Sequence, residues 1–206
     1  MKVVIGTHNR DKLKELIMAF TVKDLDIELF SLDDFPEVGD IPEIGKTLEE
    51  NALIKAREVN RTTKLPALSD DTGLEVDALH GEPGIFTARY AGENCTYHDN
   101  VKKLLNELEK VPIPNRTARF RTVVAYVDRE FEITAEGYCD GIISRSAKGE
   151  NGFGYDPIFF IPNENKTFAQ MAIEQKQNHS HRGKAIKSIV ELLIPHINSS
   201  MEKEIA

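Results

Sequence analysis

Two aspartates stand side by side in Ser69-Asp70-Asp71-Thr72-Gly73. Adjacent carboxylates repel, and both stay ionised cheaply only where solvent or a cation neutralises them. A hard cation such as Mg²⁺ is bound by oxygens of this kind. The run reads as the C-terminal end of a strand entering a glycine turn, where ligands of α/β sheets collect, although an Asp-rich turn is also an ordinary surface element. Upstream, Thr7-His8-Asn9-Arg10-Asp11-Lys12 lies between an apolar strand and an amphipathic helix. Backbone N–H groups at a helix N-terminus favour anions, and Lys12 adds positive charge, which suits phosphate. The glycine-rich Walker pattern is missing, and a polar turn capped by Thr7 or Asn9 has the same appearance. In Glu50-Asn51-Ala52-Leu53-Ile54-Lys55, Asn51 and Lys55 are four apart and share a helix face. Glu50, in the first turn, is placed to be a further metal ligand while Lys55 meets phosphate; a solvated helix surface fits as well.

Two further segments carry polar and aromatic groups in tight order. Gly152-Phe153-Gly154-Tyr155-Asp156-Pro157 combines glycines that admit close approach of a flat ligand with a stacking face on Phe153 or Tyr155. Pro157 biases Asp156 toward extended geometry. Ser180-His181-Arg182-Gly183-Lys184 opens the last helix, with Lys176 just upstream. Basic residues there oppose the helix dipole, an arrangement better tolerated where an anion or polar ligand sits.

The elements that must position these residues are legible from periodicity. A strand from Lys2 to Gly6 precedes a helix with Leu13, Leu16, Ile17 and Phe20 on one face. A strand near Ile27 to Phe30 and an irregular loop through Pro36, Gly39, Pro42 and Gly45 follow. Thr47 reads as the N-cap of a second helix with Glu50 completing a capping box, and Leu48, Ala52, Ala56 and Val59 give its apolar side. Short strands are expected at Pro66 to Ser69 and Leu74 to Leu79, loop from Gly81 to Gly92, and a helix near Asp99 to Leu108. Thr117 to Val127 and Phe131 to Glu136 read as a hairpin about Asp128-Arg129-Glu130, with a strand-like run at Ile158 to Ile161. The last helix, about His181 to Ile197, buries Ile186, Val190, Leu193 and Ile197. Interleaved strands and helices predict an α/β class with a mixed sheet.

Composition bounds the rest. The 206 residues, 40% hydrophobic and 29% charged, fit one globular domain over 1–206, with two lobes possible. The longest apolar runs, such as Val123 to Val127, fall far short of the roughly 20 residues of a bilayer span. Val3-Val4-Ile5 is too short for a signal-peptide core. Cys95 and Cys139 cannot build a disulfide framework, so a reducing cytoplasm is expected. A net charge of −8 argues against bulk nucleic-acid binding but not against a small polyanion.

Taken together and in order, these segments resemble the inosine triphosphate pyrophosphatase family, the XTP/dITP pyrophosphatases. The matching pieces are Thr7-x-Asn9-x-x-Lys12, Glu50-Asn51-Ala52-x-x-Lys55-Ala56, Ser69-Asp70-Asp71-Thr72-Gly73-Leu74, Pro83-Gly84-Ile85-Phe86-Thr87-Ala88-Arg89-Tyr90-Ala91-Gly92, Gly152-Phe153-Gly154-Tyr155-Asp156-Pro157-Ile158-Phe159 and Ser180-His181-Arg182-Gly183-Lys184-Ala185. The resemblance implies an elongated mixed sheet flanked by helices, two lobes with a central cleft, and a cytoplasmic homodimer. It implies Mg²⁺-dependent cleavage of the α–β phosphoanhydride of deaminated purine nucleoside triphosphates, releasing monophosphate and pyrophosphate and cleansing the nucleotide pool. Asp71 would be the catalytic carboxylate and a metal ligand, with Lys55 catalytic beside it and Glu50 helping to hold Mg²⁺. Thr7, His8, Asn9, Arg10, Asp11, Lys12 and Thr72 would cradle the triphosphate. Phe153, Gly154, Tyr155, Asp156, Lys176, His181 and Arg182 would line the base and sugar site. The sequence carries Thr72 where Ser is more frequent, Lys148 where Arg is common and His179 where an apolar residue is usual. A pyrophosphatase for pyrimidine or other modified nucleotides and a non-catalytic nucleotide-binding protein are the competing readings. A phosphatase of the Asp-x-Asp-x-Thr type fails, because the residue two beyond Asp71 is Gly73 and two beyond Asp70 is Thr72.

Overall fold

The computed structural model describes residues 1–21 and 27–205, with side chains for 1–18 and 27–196. The chain forms two compact units: Met1–Asp71, Thr122–Gly137 and Arg182–Ala206 make the first, Thr72–Arg121 and Tyr138–His181 the second. Among the described residues eight strands join one mixed sheet in the order β2-β1-β3-β5-β6-β7-β8, with β4 on β3. No helix among them is long and apolar enough to cross a membrane.

In the first unit β1 (Lys2–Ile5) pairs in parallel with β2 (Glu28–Ser31), Val4 opposite Phe30, and with β3 (Ala67–Val76), Val4 opposite Ala67. The run Val3-Val4-Ile5 is buried throughout, as expected of a parallel strand covered on both faces. Val3 and Ile5 pack with Leu16 of α1 (Arg10–Thr21) and with Ala185, Ile186, Ile189, Val190 and Leu193 of α5 (His181–Ile205). Val4 turns the other way, to Val59 of α2 (Leu48–Thr63) and to Leu32, Val38 and Ala67. Alternation along one strand thus assigns α1 and α5 to one face and α2 to the other.

The expected helix faces hold for Leu48, Ala52, Ala56 and Val59 and for Ile186, Val190 and Leu193. Ile17 is 41% exposed, so the inward stripe of α1 is narrower than its periodicity suggests. The side chains of Phe20 and Ile197 lie outside the described residues. Thr47 Oγ1 accepts from Glu50 N at 3.0 Å, as an N-cap should. Glu50 does not return the bond to Thr47; its Oε2 accepts from Lys46 N at 2.5 Å.

The second unit gathers β4 (Pro83–Gly84), α3 (Tyr97–Glu107), β7 (Phe159–Ile161), β8 (Lys166–Thr167) and α4 (Ile173–His179) around Leu104, Leu108, Phe120, Tyr155, Phe159 and Phe168. β5 (Thr117–Val127) and β6 (Glu132–Ile143) contribute residues to both units. β6 runs seven residues beyond the expected Glu136 because Gly137 and Gly141 did not interrupt it. The largest departure is β3. In place of two short strands broken by a glycine turn, Ala67 to Val76 is one continuous strand carrying Asp70, Asp71 and Gly73 in its interior. Asp and Gly are poor strand formers alone, and burial on both sides overrides that preference here.

The β5–β6 turn is locked by one side chain. Asp128 Oδ1 accepts from Glu130 N at 2.7 Å and Phe131 N at 3.0 Å, while Oδ2 accepts from Tyr126 OH at 3.0 Å and faces His196 Nε2 at 2.7 Å. Burial raises this carboxyl, but the N–H groups of Phe131 and Glu130, with His196 and Tyr126, outweigh it and hold the carboxyl below the ordinary value. A depressed folded pKa stabilises above the unfolded pKa near 3.8 and loses that contribution as pH falls through the lower folded value. Asp128→Ala is therefore expected to lower the unfolding free energy by about 1–2 kcal/mol at pH 7. In urea titrations the gap to wild type should close as the pH is taken below 4.

Candidate active site

β1 delivers the chain to the turn preceding α1. Thr7 Oγ1 accepts from Asn9 N at 3.2 Å, and Asn9 Oδ1 accepts from Asp11 N at 3.0 Å and Lys12 N at 3.2 Å. Asn9 is thus the cap of α1. His8 Nε2 meets Gly39 O at 3.0 Å, tying this turn to the loop ahead of α2, and Arg10 is exposed. Lys12 Nζ lies 3.2 Å from Asp70 Oδ2.

The two aspartates are neighbours in sequence and not in surroundings. Consecutive strand residues project to opposite faces. Asp70 Oδ2 accepts from Arg182 Nε at 3.3 Å and Nη2 at 3.1 Å, and Arg182 Nη1 donates to Glu15. Asp70, Glu15 and Arg182 are all buried. On the other face Asp71 Oδ2 accepts from Asn51 Nδ2 at 3.1 Å, and Oδ1 accepts from Lys55 Nζ at 3.1 Å. Lys55 Nζ also donates to Glu43 Oε1 at 2.8 Å, and Asn51 Oδ1 accepts from Gly45 N at 2.8 Å. Asn51 thereby fixes both the Asp71 carboxylate and the loop that carries Glu43.

The electrostatics divide the acids sharply. Burial would raise Asp70, but Lys12, Arg182 and Lys55 hold it far below the usual carboxylate range. Asp71 is raised, by burial first and by the Glu43 charge, against the pull of Lys55 and Lys12. Lys12 is lowered by burial and by the charges of Lys55 and Arg182. Lys55 is raised: Asp71, Asp70 and Glu43 outweigh its burial. Four carboxylates (Glu15, Glu43, Asp70, Asp71) face three cations (Lys12, Lys55, Arg182), leaving an excess of negative charge. Glu43 and Asp71 converge on one ammonium, a hard-oxygen set that fits a divalent cation. Glu50, by contrast, is exposed and bonded to Lys46 N. Among the described residues no three His, Cys, Asp or Glu side chains form a ready-made metal cluster.

In the second unit Gly152 and Gly154 take φ of +72° and +61°, the left-handed region. A Cβ on Gly152 would sit 2.0 Å from Asp156 Oδ2. That oxygen accepts from Phe153 N at 2.9 Å and Lys176 Nζ at 2.5 Å, and Lys176 Nζ lies 4.9 Å from the Phe153 ring centroid. The His181 ring stacks on Phe120 at 4.5 Å and 15°. Thr72 and Gly154 are half-buried. Tyr155 does not offer a stacking face: its ring is in the apolar core and its hydroxyl donates to Thr87 O at 3.1 Å. It packs with Ile158 and Phe159 in the core, whereas the Phe153 ring is only half-buried.

Of the residues singled out in the sequence, the structure brings Asn51, Lys55 and Asp71 together on one side of β3 and Lys12, Asp70 and Arg182 together on the other. Sequence reasoning missed Glu43, which lies in an aperiodic loop, and Glu15, a buried acid three residues after Lys12 whose spacing was the available signal. Arg182, expected at the base site, here donates through Nε and Nη2 to Asp70 and through Nη1 to Glu15.

The Ham1 family profile matches residues 3–192. The dITP/XTP pyrophosphatase of Elusimicrobium minutum is 48% identical over 193 residues, covering 92% of this chain and 98% of that protein. The dITP/XTP pyrophosphatase of Thermoanaerobacter pseudethanolicus is 44% identical over 197 residues, covering 96% and 98%. A solved Ham1 protein from Coxiella burnetii superposes with a TM-score of 0.85 at 38% identity, over 95% of this chain and 99% of that one. A Mycobacterium abscessus structure titled nucleoside-triphosphatase / dITP/XTP pyrophosphatase gives 0.73 at 40% identity, over 92% and 98%.

Removing one partner from a buried ion-paired cluster strands the others. Asp70→Asn is expected to destabilise the fold by roughly 3 kcal/mol or more, read by guanidinium titration. A loss below about 1 kcal/mol would mean that Lys12 and Arg182 do not depend on this carboxylate.

Proposed function

The chain belongs to the Ham1 family, and on that premise we propose how its residues perform the reaction named for its relatives. The protein is a nucleoside triphosphate pyrophosphohydrolase for deaminated purine nucleotides such as dITP and XTP. Water attacks the α-phosphorus, the α–β bridging bond breaks, pyrophosphate leaves and the nucleoside monophosphate remains.

The observation that carries this reading is the environment of Asp71. It is a buried carboxylate with raised proton affinity, oriented by Asn51 and reached by Lys55. Asp71 takes the proton of the attacking water. Lys55 moves from Asp71 Oδ1 to the entering phosphates, freeing Oδ1 as the proton acceptor. Lys12 and the turn from Thr7 to Lys12 hold the triphosphate, and Lys12 and Lys55 offset charge that builds on the pyrophosphate as the bond breaks. Asp71 and Glu43 would hold a divalent cation such as Mg²⁺, which would supply phosphate-charge neutralisation and a more acidic water.

The second unit's Phe153 stacks the base. Lys176 Nζ and Asp156 Oδ2 stand together as a donor beside an acceptor. Hypoxanthine and xanthine present the complementary pair, an O6 acceptor next to an N1–H donor. Adenine presents the reverse, leaving both protein groups unpaired. Each mismatch costs roughly 1–3 kcal/mol, so two give discrimination from about 30-fold to about 10⁴-fold. The family resemblance further supports a cytoplasmic homodimer.

Anion-exchange separation of products from dITP, XTP, dGTP, dATP and dTTP, each incubated with protein and Mg²⁺, tests the reading. Pyrophosphate and monophosphate from dITP and XTP are expected, with dATP and dTTP slower by roughly 30-fold or more. Orthophosphate in place of pyrophosphate would overturn the assigned bond. Asp71→Asn is expected to lower kcat by roughly 10³-fold or more while nucleotide binding stays measurable. Glu43→Gln is expected to raise the Mg²⁺ concentration needed for half-maximal rate by tenfold or more. An unchanged Mg²⁺ requirement would remove Glu43 from the metal set.

A further inference from the structure

Phe153 has an unusual mechanical problem. It is flanked by two glycines in the left-handed region, Gly152 at φ +72° and Gly154 at +61°, and glycine gives the backbone more freedom than any other residue. A ring meant to stack a base must nevertheless hold one orientation. Its backbone is held by Asp156, whose Oδ2 accepts from Phe153 N at 2.9 Å and whose own N–H donates to Phe153 O at 3.2 Å. The ring itself lies against Tyr97, with centroids 5.9 Å apart and planes inclined at 41°. That separation is within the range of favourable tilted aromatic pairs.

Tyr97 is well suited to brace a neighbour. It is the first residue of α3, immediately after the N-cap Thr96. Thr96 and Asp99 close a reciprocal capping box, with Asp99 N to Thr96 Oγ1 at 3.2 Å and Thr96 N to Asp99 Oδ2 at 2.9 Å. The backbone beneath Tyr97 is therefore fixed without help from its side chain. The side chain is 44% exposed, although a large aromatic gains little from such a position unless it packs against something. What it packs against is Phe153, with the Lys176 ammonium 4.9 Å from the same ring.

We propose that Tyr97 is a positioning residue for base binding, setting the orientation of the Phe153 ring and extending the aromatic wall that the purine meets. The inference rests on the reading of Phe153 as the stacking ring. Tyr97 acts on the nucleobase end of the ligand and leaves the phosphates and the chemical step untouched. Its signature is therefore a change in base affinity alone.

The test uses Tyr97→Ala, Tyr97→Phe and Phe153→Ala in the full chain, with dITP as substrate and dIMP and tripolyphosphate as competing inhibitors. Tyr97→Ala is expected to raise KM for dITP and the inhibition constant of dIMP by roughly two- to tenfold, the span of one aromatic pair. The same variant should leave kcat within about twofold and tripolyphosphate inhibition unchanged, and Tyr97→Phe should restore wild-type behaviour. If Phe153→Ala raises KM and Tyr97→Ala does not, the positioning role is wrong while the stacking ring stands. If Phe153→Ala also leaves KM unchanged, the stacking reading fails and takes this inference with it. Equal losses in kcat, dIMP and tripolyphosphate affinity for Tyr97→Ala would reveal a general structural role and overturn the proposal.

Discussion

Everything in the catalytic cluster depends on the pleat of β3. Two carboxylates on consecutive residues of a turn would share one patch of solvent, and on a helix they would stand about 100° apart. In a strand they are sent to opposite faces. Asp70 is committed to Lys12 of α1 and Arg182 of α5, and Asp71 to Asn51 and Lys55 of α2. The same alternation that sends Val3 and Val4 to different hydrophobic clusters therefore separates a fully ion-paired acid from one with raised proton affinity. Both acids are buried and both feel Lys12 and Lys55, and their shifts part in direction as Arg182 adds its charge at Asp70 and Glu43 adds its own at Asp71.

This arrangement also explains the basic residues at the starts of α1 and α5. Lys12 and Arg182 sit at the ends of helices where the backbone dipole disfavours positive charge. Such residues suggest a waiting anion, and the anion is partly the protein's own: Asp70 and Glu15. Arg182, bonded to both and buried, has the planar fork that such a two-carboxylate brace requires. Lys12 has a flexible stem and 17% side-chain exposure, the mobility that the proposed contact with phosphate would need.

What the sequence made legible follows from the kind of signal involved. Helix faces, caps and the hairpin are periodic or local features, and Thr47, Leu48, Ala52, Val59 and Val190 were readable from them. Asn51 and Lys55 were readable because helical spacing alone puts them on one side. The continuity of β3 was not readable: Asp70, Asp71 and Gly73 oppose strand formation locally, and only cover from both faces overrides them. Glu43 was invisible because a loop carries no period. Tyr155 and Phe153 were indistinguishable by type, since the choice of which ring turns inward is made by Thr87 and the surrounding core. The pairing of Arg182 with Asp70 and Glu15 was not readable, because a buried ion pair and a ligand contact call for the same residue type.

A common principle links the charged groups of the two units. In the first, Lys55 holds Asp71 and Glu43; in the second, Lys176 holds Asp156. Each lysine gives an ion-pair partner to an acid that burial would otherwise disfavour. On the proposed mechanism a triphosphate, with about four negative charges near neutral pH, would compete for Lys55 far more strongly than a neutral nucleoside can. Lys55 turning to phosphate would leave the carboxylates of Asp71 and Glu43 facing one another, a repulsion that a divalent cation would relieve. Phosphate entry and cation binding would then be driven by the same displaced ammonium. The affinity for each should rise in the presence of the other, by equal factors, as linkage requires.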